Sequence, residues 1–102
     1  MAVFRILEAT ARPGAIDRLA ELLVRQEREV AATAAGVVFA QSLRSGDSVL
    51  AVSSWRSVED MQRYLDQPDT GTFYQRLPEL LMGVPSVRTY EVISPADRWE
   101  GP

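Results

Sequence analysis

The stretch SVLAVSSWRSVEDM, residues 48–61, carries the pattern of a strand that turns directly into a helix. Its first half is rich in valine and small residues, a composition that suits an extended strand. Ser57 and Asp60 then form an S-x-x-D pattern, which is a capping box that opens a helix. Trp55 stands at the junction, and small side chains precede it at the spacing of two that places residues on one face of a strand. The stretch therefore predicts a strand-to-helix junction with a large indole beside small residues.

The sequence on both sides of this stretch shows the periodicities of further strands and helices. Apolar side chains at spacings of three, four and seven predict an amphipathic helix, and Gly46 suits a hairpin turn between two strands. The predicted elements are a strand over 2–11, a helix over 14–34, strands over 36–44 and 48–55, a helix from 57 that is interrupted at 67–69, and a strand over 86–94. This order predicts a ferredoxin-like α+β sandwich, βαββαβ, whose antiparallel sheet has both helices on one face.

The chain of 102 residues has the size and apolar content of one domain, predicted over 1–94 with a C-terminal tail over 95–102. Its formal net charge of -3 arises from scattered charges, and all 11 basic residues are arginines. A nucleic-acid partner is not expected, because such a partner needs a clustered basic surface. The sequence shows no signal-peptide pattern and no apolar run of membrane-spanning length, so a cytoplasmic location without membrane contact is expected.

Four residue types are absent from the chain, namely cysteine, histidine, lysine and asparagine. Without cysteine and histidine, the usual zinc and iron–sulfur sites and the Ser–His and Cys–His nucleophile pairs are excluded. Without lysine, a Schiff-base mechanism is excluded as well. The composition therefore predicts a protein that is neither a metal enzyme nor a covalent enzyme of these kinds.

The first predicted strand has apolar residues on both of its faces. Val3 and Leu7 lie on one alternation, and Phe4 and Ile6 lie on the other. Helices cover only one face of a ferredoxin-like sheet, so the second apolar face needs a different cover. A second copy of the same sheet is the simplest one, and the sequence therefore predicts a homodimer with the sheets face to face.

Element order and several motifs resemble the antibiotic biosynthesis monooxygenase family of the dimeric α/β-barrel superfamily. The resemblance covers roughly residues 3–94 and includes a Trp-x-Ser-x-Glu junction, here Trp55, Ser57 and Glu59. The motifs that carry it are RPGAIDRLAELL, SVLAVSSWRSVEDMQRYLDQPD, FYQRLPELL and VRTYEV. The resemblance implies the ferredoxin-like fold, dimerisation into an α/β barrel, and a pocket between sheet and helices.

Family members with known chemistry oxidise planar phenolic or anthrone-like substrates with O₂ and without a metal or flavin. The resemblance therefore implies a small cofactor-independent monooxygenase whose partner is a small aromatic or polyketide-type molecule and whose junction Trp55 lines the pocket. Some members also place an asparagine where this chain has Ala51. Two alternatives stay open: a polyketide cyclase, isomerase or lyase that does not use O₂, and a non-catalytic dimer that binds a small molecule.

The candidate site residues follow from the junction and from the aromatic and arginine side chains near it. The candidate catalytic residues are Trp55, Tyr64 and Arg76. The candidate substrate-binding residues are Ala51, Ser53, Met61, Phe73, Tyr74, Leu77 and Arg88. Arg5 and Arg88 lie within strands, where an inward arginine would bind a phenolate or carboxylate and an outward one would form an ion pair. Aromatic residues at helical spacing also suit a plain core, and the break over 66–73 suits either a gate or a simple kink.

Overall fold

The computed structural model describes residues 1–93, which form a four-stranded antiparallel sheet with the helices packed on one face. The sheet order is β2-β3-β1-β4, and every neighbouring pair of strands is antiparallel. The elements are β1 (Val3–Thr10), α1 (Ile16–Thr33), β2 (Val37–Ser45), β3 (Ser48–Trp55), α2 (Val58–Leu65), α3 (Pro68–Arg76), a 3₁₀ turn (Leu77–Glu79) and β4 (Ser86–Glu91). The predicted α+β, ferredoxin-like βαββαβ fold is confirmed, whereas the predicted tail over 95–102 lies outside the described residues.

Local signals at the junction between β3 and α2 operate as the sequence predicts. Ser57 is the N-cap of α2: its Oγ accepts a hydrogen bond from the Asp60 amide at 3.1 Å and donates one to Asp60 Oδ2 at 3.0 Å. The predicted interruption separates α2, which ends at Leu65, from α3, which begins at Pro68. Proline is tolerated at the first position of a helix because its missing N–H has no partner there in any case. This junction and this break produce two short helices, whose side chains Met61 and Phe73 pack into the core on one face of the sheet.

Gly36 brings the start of β2 close to the cap of α2. Its φ is +82°, a left-handed conformation that glycine adopts without steric cost, and its carbonyl accepts a hydrogen bond from the Arg56 amide at 2.8 Å. A Cβ at this position would overlap the Asp60 side chain. The absence of a side chain at Gly36 therefore allows the capping carboxylate of α2 to pack against the backbone of β2.

Gly36→Ala is expected to lower the free energy of unfolding by about 2 to 5 kcal/mol, because it combines a left-handed backbone with an overlap onto Asp60. Gly14→Ala is the matched control, since Gly14 has a φ of +79° and open space around its Cβ position. This control should cost only about 1 to 2 kcal/mol. Urea unfolding of both variants measures the difference, and equal losses would show that the contact with Asp60 contributes nothing.

The face of the sheet that contacts the helices holds the hydrophobic core in two clusters. One cluster joins β1, β3, α1 and α3, with Leu7, Leu19 and Phe73 among its members. The other surrounds Trp55, whose exposed fraction is 0%, and includes Val3, Val30 and Met61. The candidate site lies between these two clusters.

The opposite face, called here the open face, is also apolar. The strand register places Phe4 and Ile6 of β1 on it, together with residues of the other three strands. Phe39, Leu43 and Tyr90 on this face have exposed fractions of 40%, 46% and 48%. No element among residues 1–93 covers this surface.

None of the helices in the described part of the chain is long and apolar enough to cross a membrane, and the cytoplasmic location stays a prediction.

Candidate functional site

A small cavity of about 50 Å³ lies between the helix-facing side of the sheet and the three helices. Its sheet wall includes Arg5, Ala40, Ser42, Ala51 and Ser53. Its helix wall includes Leu23, Gln26, Glu27, Tyr64, Phe73 and Tyr74. The cavity therefore combines aromatic rings with a few polar groups, which is the usual character of a small-molecule site.

The cavity exists because two rows of the sheet carry small side chains. In one row, Ala40 and Arg5 flank Ser53; in the next, Ser42 and Leu7 flank Ala51. Small residues at the centre of a sheet leave space beneath the helices, whereas branched residues at those positions would fill it. The sequence pattern of small residues before Trp55 thus corresponds to a real gap in the packing.

The row of buried apolar side chains on α1 is interrupted where the helix passes over the cavity. Leu19, Leu23 and Val30 of this stripe have exposed fractions of 0%, 3% and 5%. Gln26 and Glu27 fall between them, at the i+3 and i+4 positions from Leu23, and both line the cavity. Two polar residues on an otherwise buried apolar stripe indicate a role other than core packing.

Arg5 is the cationic side chain of the cavity. It lies on the helix-facing side of β1 between Val3 and Leu7, and its guanidinium carbon is 5.5 Å from the centroid of the Tyr74 ring. Among residues 1–93 the ion pairs are Arg25–Glu21, Arg44–Asp17 and Arg63–Asp60, so Arg5 has no carboxylate within 4.0 Å there. A partly buried guanidinium without such a partner is suited to receive a carboxylate or phenolate from a ligand.

Tyr64 contributes both a ring and a hydroxyl to the site. Its ring stacks on Trp55 with centroids 5.2 Å apart, and its hydroxyl oxygen accepts a hydrogen bond from Gln26 Nε2 at 2.6 Å. Burial raises the pKa of the Tyr64 hydroxyl above its ordinary value, and the hydrogen bond from Gln26 offsets part of the rise. The hydroxyl therefore keeps its proton near neutral pH and can donate it to an acceptor on a ligand.

Trp55 lies behind Tyr64 rather than on the cavity wall. Its indole is fully buried, and its Nε1 donates a hydrogen bond to Ser53 Oγ at 2.9 Å. The side chains that do line the cavity on this side are Ser53 and Tyr64. The contact between Trp55 and the cavity is thus indirect, through one hydrogen bond and one stacked ring.

The structure brings part of the sequence-derived candidate set together. The candidates that line the cavity are Ala51, Ser53, Tyr64, Phe73 and Tyr74. Met61 and Leu77 are buried in the core clusters beside it. Phe73 and Tyr74 pack edge to face with centroids 5.0 Å apart, so α3 supplies an aromatic corner.

Two arginines of the candidate set lie elsewhere. Arg76 borders open grooves on the outer surface between α1 and α3. Arg88 pairs with Ile6 on the open face, so it does not point between sheet and helices. The register of β4 against β1 explains this placement, because it sets which alternation of β4 faces the helices.

Two further polar side chains line the cavity, Gln26 and Glu27, and the sequence patterns do not single them out. The signal for Gln26 and Glu27 is the gap that they leave in the apolar stripe of α1. Gln26 also brings a side-chain amide to the cavity from the helix side. Within residues 1–93, no three His, Cys, Asp or Glu side chains are grouped so that they could hold a metal ion.

Comparisons with known proteins identify the fold. No family model matches the sequence, and no curated protein has significant sequence similarity to it. Among solved structures, Rv0793 from Mycobacterium tuberculosis is similar with a TM-score of 0.87 and 20% identity, over 95% of this chain and 100% of that chain. The chain shares the ferredoxin-like fold of this protein.

Two further solved structures have this fold and are each named a "putative antibiotic biosynthesis monooxygenase". The one from Deinococcus radiodurans has a TM-score of 0.84 and 17% identity, over 97% of this chain and 99% of that chain. The one from Caulobacter crescentus has a TM-score of 0.84 and 10% identity, over 91% of each chain. At this level of identity the similarity concerns the fold, and function has to be argued from the site.

Proposed function

We propose that this protein is a cofactor-independent monooxygenase of the antibiotic biosynthesis monooxygenase type, acting on a small planar phenolic molecule. The observation that carries the proposal is Arg5, a cation without a carboxylate partner among residues 1–93, on a cavity with three aromatic side chains. Aromatic walls suit a planar ring, and the guanidinium suits the oxygen anion on that ring. The ligand class that satisfies both features is a phenol that binds as its phenolate.

The proposed reaction needs only the substrate and O₂. A phenolate is richer in electrons than a phenol, so it reduces O₂ more readily, and Arg5 stabilises this anion. One oxygen atom of O₂ becomes a carbonyl oxygen at the ring carbon para to the hydroxyl. The other oxygen leaves as water with two hydrogens of the substrate, one from the O–H and one from the C–H, and the product is a quinone.

The aromatic and hydrogen-bonding groups around the cavity have separate roles in this proposal. The rings of Phe73 and Tyr74 contact the substrate ring, and the Tyr64 hydroxyl donates to a substrate oxygen. Trp55 is a positioning residue, because it holds the ring of Tyr64 by stacking and holds Ser53 by a hydrogen bond. The core side chains Met61 and Leu77 shape the site from behind.

Substrate entry requires the cavity to widen, since about 50 Å³ holds little more than a water molecule. The break between α2 and α3 is the proposed hinge. Tyr64 precedes this break, whereas Phe73 and Tyr74 follow it. Rotation of α3 about the residues before Pro68 would separate these rings and open the cavity, and reclosure would exclude water from the reacting anion.

The proposal includes a homodimer formed through the open face, which would close the two sheets into an α/β barrel. It is supported by the exposed apolar side chains on that face, including Phe39, Leu43 and Tyr90. Light scattering is expected to give twice the chain mass of 11.3 kDa. Leu43→Glu is expected to shift the protein to the monomer, and a wild-type mass of one chain would contradict the dimer.

The experiment that tests the activity is oxygen uptake with a panel of phenols, naphthols, quinols and an anthrone. Turnover in ¹⁸O₂ is expected to place one labelled atom in the quinone product. Arg88→Gln provides a control for a lost positive charge, because this arginine lies on the open face, and its turnover should match the wild type. Absence of oxygen uptake with every member of the panel would contradict the proposal.

A second candidate function uses the same cavity without O₂, as a cyclase or isomerase of a polyketide-type molecule. The observation that favours it is Glu27, because a carboxylate at the cavity can remove a proton from carbon. Anaerobic incubation separates the two functions: substrate conversion without O₂ would favour this second candidate. Ligand binding without conversion under either condition would identify a non-catalytic binding protein.

A further inference from the structure

We infer that Glu27 accepts the proton of the bound phenol, so that the phenolate forms inside the cavity rather than in water. This inference rests on the proposed function and adds a second charged residue to its site. Glu27 reaches the cavity from α1, whereas Arg5 reaches it from β1 on the other wall. A phenol between these walls would have a proton acceptor on one side and an anion receptor on the other.

The position of Glu27 on α1 is the first support. Leu23 lies one turn before it and Val30 lies three residues after it, and both are buried. An apolar side chain at position 27 would continue the core, and the helix would gain stability from it. A half-buried carboxylate at this position therefore calls for a functional explanation.

The lack of a structural role is the second support. Within residues 1–93, two other glutamates of α1 make contacts of this kind. The Glu21 side chain forms an ion pair with Arg25, and the Glu29 backbone carbonyl accepts a hydrogen bond from the Thr33 hydroxyl. In that part of the chain the Glu27 carboxylate has no such contact. Glu29 borders an outer groove and Glu27 borders the cavity, although they lie on the same helix.

Charge balance is the third support. Before the transfer the cavity holds the Glu27 carboxylate, the Arg5 guanidinium and a neutral phenol. The phenol O–H bond breaks, the proton bonds to a carboxylate oxygen of Glu27, and the electron pair stays on the phenol oxygen. The net charge is zero before and after this step, so no uncompensated charge is buried as the phenolate forms.

The other titratable groups on the cavity are Tyr64 and Tyr74, from α2 and α3. The Tyr64 hydroxyl keeps its proton because burial raises its pKa, so it cannot act as the acceptor near neutral pH. The remaining polar residues of the wall are amides and hydroxyls, such as Gln26 and Ser53, which are not bases in this range. Among the residues that line the cavity, Glu27 is therefore the group that can accept the proton of the phenol.

The test uses 4-nitrophenol, whose anion absorbs visible light, with the full-length wild type, Glu27→Gln and the matched control Glu29→Gln. Dissociation constants are measured at several pH values above the pKa of free 4-nitrophenol. If Glu27 carries a proton in the complex, binding of the anion takes up one proton and the bound 4-nitrophenol keeps the visible absorption of its anion. Binding to the wild type and to Glu29→Gln should then weaken about tenfold per pH unit, whereas binding to Glu27→Gln should not change with pH.

A kinetic readout accompanies the titration. With weakly acidic phenols, Glu27→Gln is expected to lower kcat by about 10²- to 10⁴-fold, the usual contribution of general base catalysis. With acidic phenols that are already ionised at the assay pH, Glu27→Gln should retain the wild-type rate. A purely structural role of Glu27 would lower both rates alike.

The outcomes separate this inference from the proposed function. If the wild type binds 4-nitrophenol and Glu27→Gln shows the same pH dependence, Glu27 is not the acceptor, whereas the phenol site stands. If the wild type does not bind 4-nitrophenol at all, the proposed function and this inference are overturned together. The Glu29→Gln control shows whether loss of any negative charge on α1 removes the pH dependence of 4-nitrophenol binding.

Discussion

Arg5→Gln is expected to weaken the binding of a phenolate anion by about 10- to 100-fold. A hydrogen bond to a charged group contributes about 1.5 to 3 kcal/mol, and glutamine keeps a polar side chain while it removes the positive charge. The guanidinium lies 5.5 Å from the Tyr74 ring centroid, so a ligand that packs on the aromatic corner comes within its reach. Calorimetric titration with 4-nitrophenol above its pKa measures the change.

The matched control for Arg5→Gln is Arg88→Gln, because both change one strand arginine and the net charge by the same amount. Arg88 pairs with Ile6 on the open face, away from the cavity. Its replacement should leave phenolate affinity within about twofold of the wild type, since the sheet separates Arg88 from the cavity and the guanidinium cannot contact the ligand. Equal losses in the two variants would show that the attraction is a long-range effect of charge, and that Arg5 is not the receptor.

The faces of these two arginines show which part of the site the sequence does not encode locally. Arg5 shares its alternation with Val3 and Leu7, but Phe4 and Ile6 make the other alternation of β1 apolar as well, so the pattern leaves both faces open for Arg5. The residues around Arg88 are exposed on both alternations of β4, so its face depends on the register with β1. A register is set by contacts distant in sequence, which a local pattern does not contain.

The secondary structure was predictable because its signals are local. The Ser57 cap, the break before Pro68 and the turn at Gly46 each act within a few residues, and each occurs in the structure. The predicted helix over 14–34 differs from α1 by one or two residues at each end. This small difference is common, because helix ends are defined by caps rather than by the apolar stripe.

The composition of the cavity was predictable only in part, since its walls come from distant segments. The hydrogen bond between Gln26 and Tyr64 joins residues 38 positions apart, and no periodicity indicates it. Trp55 and Tyr64 were both candidates, but only their stacking shows that the tyrosine covers the indole. The sequence indicated an aromatic site at this junction, and tertiary packing determines which ring faces the cavity.

Trp55→Ala is expected to lower the free energy of unfolding by about 3 to 5 kcal/mol, the usual cost of removing a large buried aromatic side chain. The indole is 0% exposed, stacks on Tyr64 and donates a hydrogen bond to Ser53. Small domains have total stabilities of about 5 to 15 kcal/mol, so this variant should unfold at a much lower urea concentration. A loss below about 1 kcal/mol would contradict the tight packing around the indole.

Trp55→Phe tests the role of this residue in a folded protein. Phenylalanine keeps an aromatic contact with Tyr64 and loses the hydrogen bond to Ser53 and part of the buried ring, so the stability loss should be smaller than for alanine. Because Tyr64 lies between the indole and the cavity, affinity for 4-nitrophenol should stay within about threefold of the wild type. A folded Trp55→Phe protein that has lost phenol binding would instead place Trp55 in direct contact with the ligand. The cavity would then have to open beyond Tyr64 when the ligand binds.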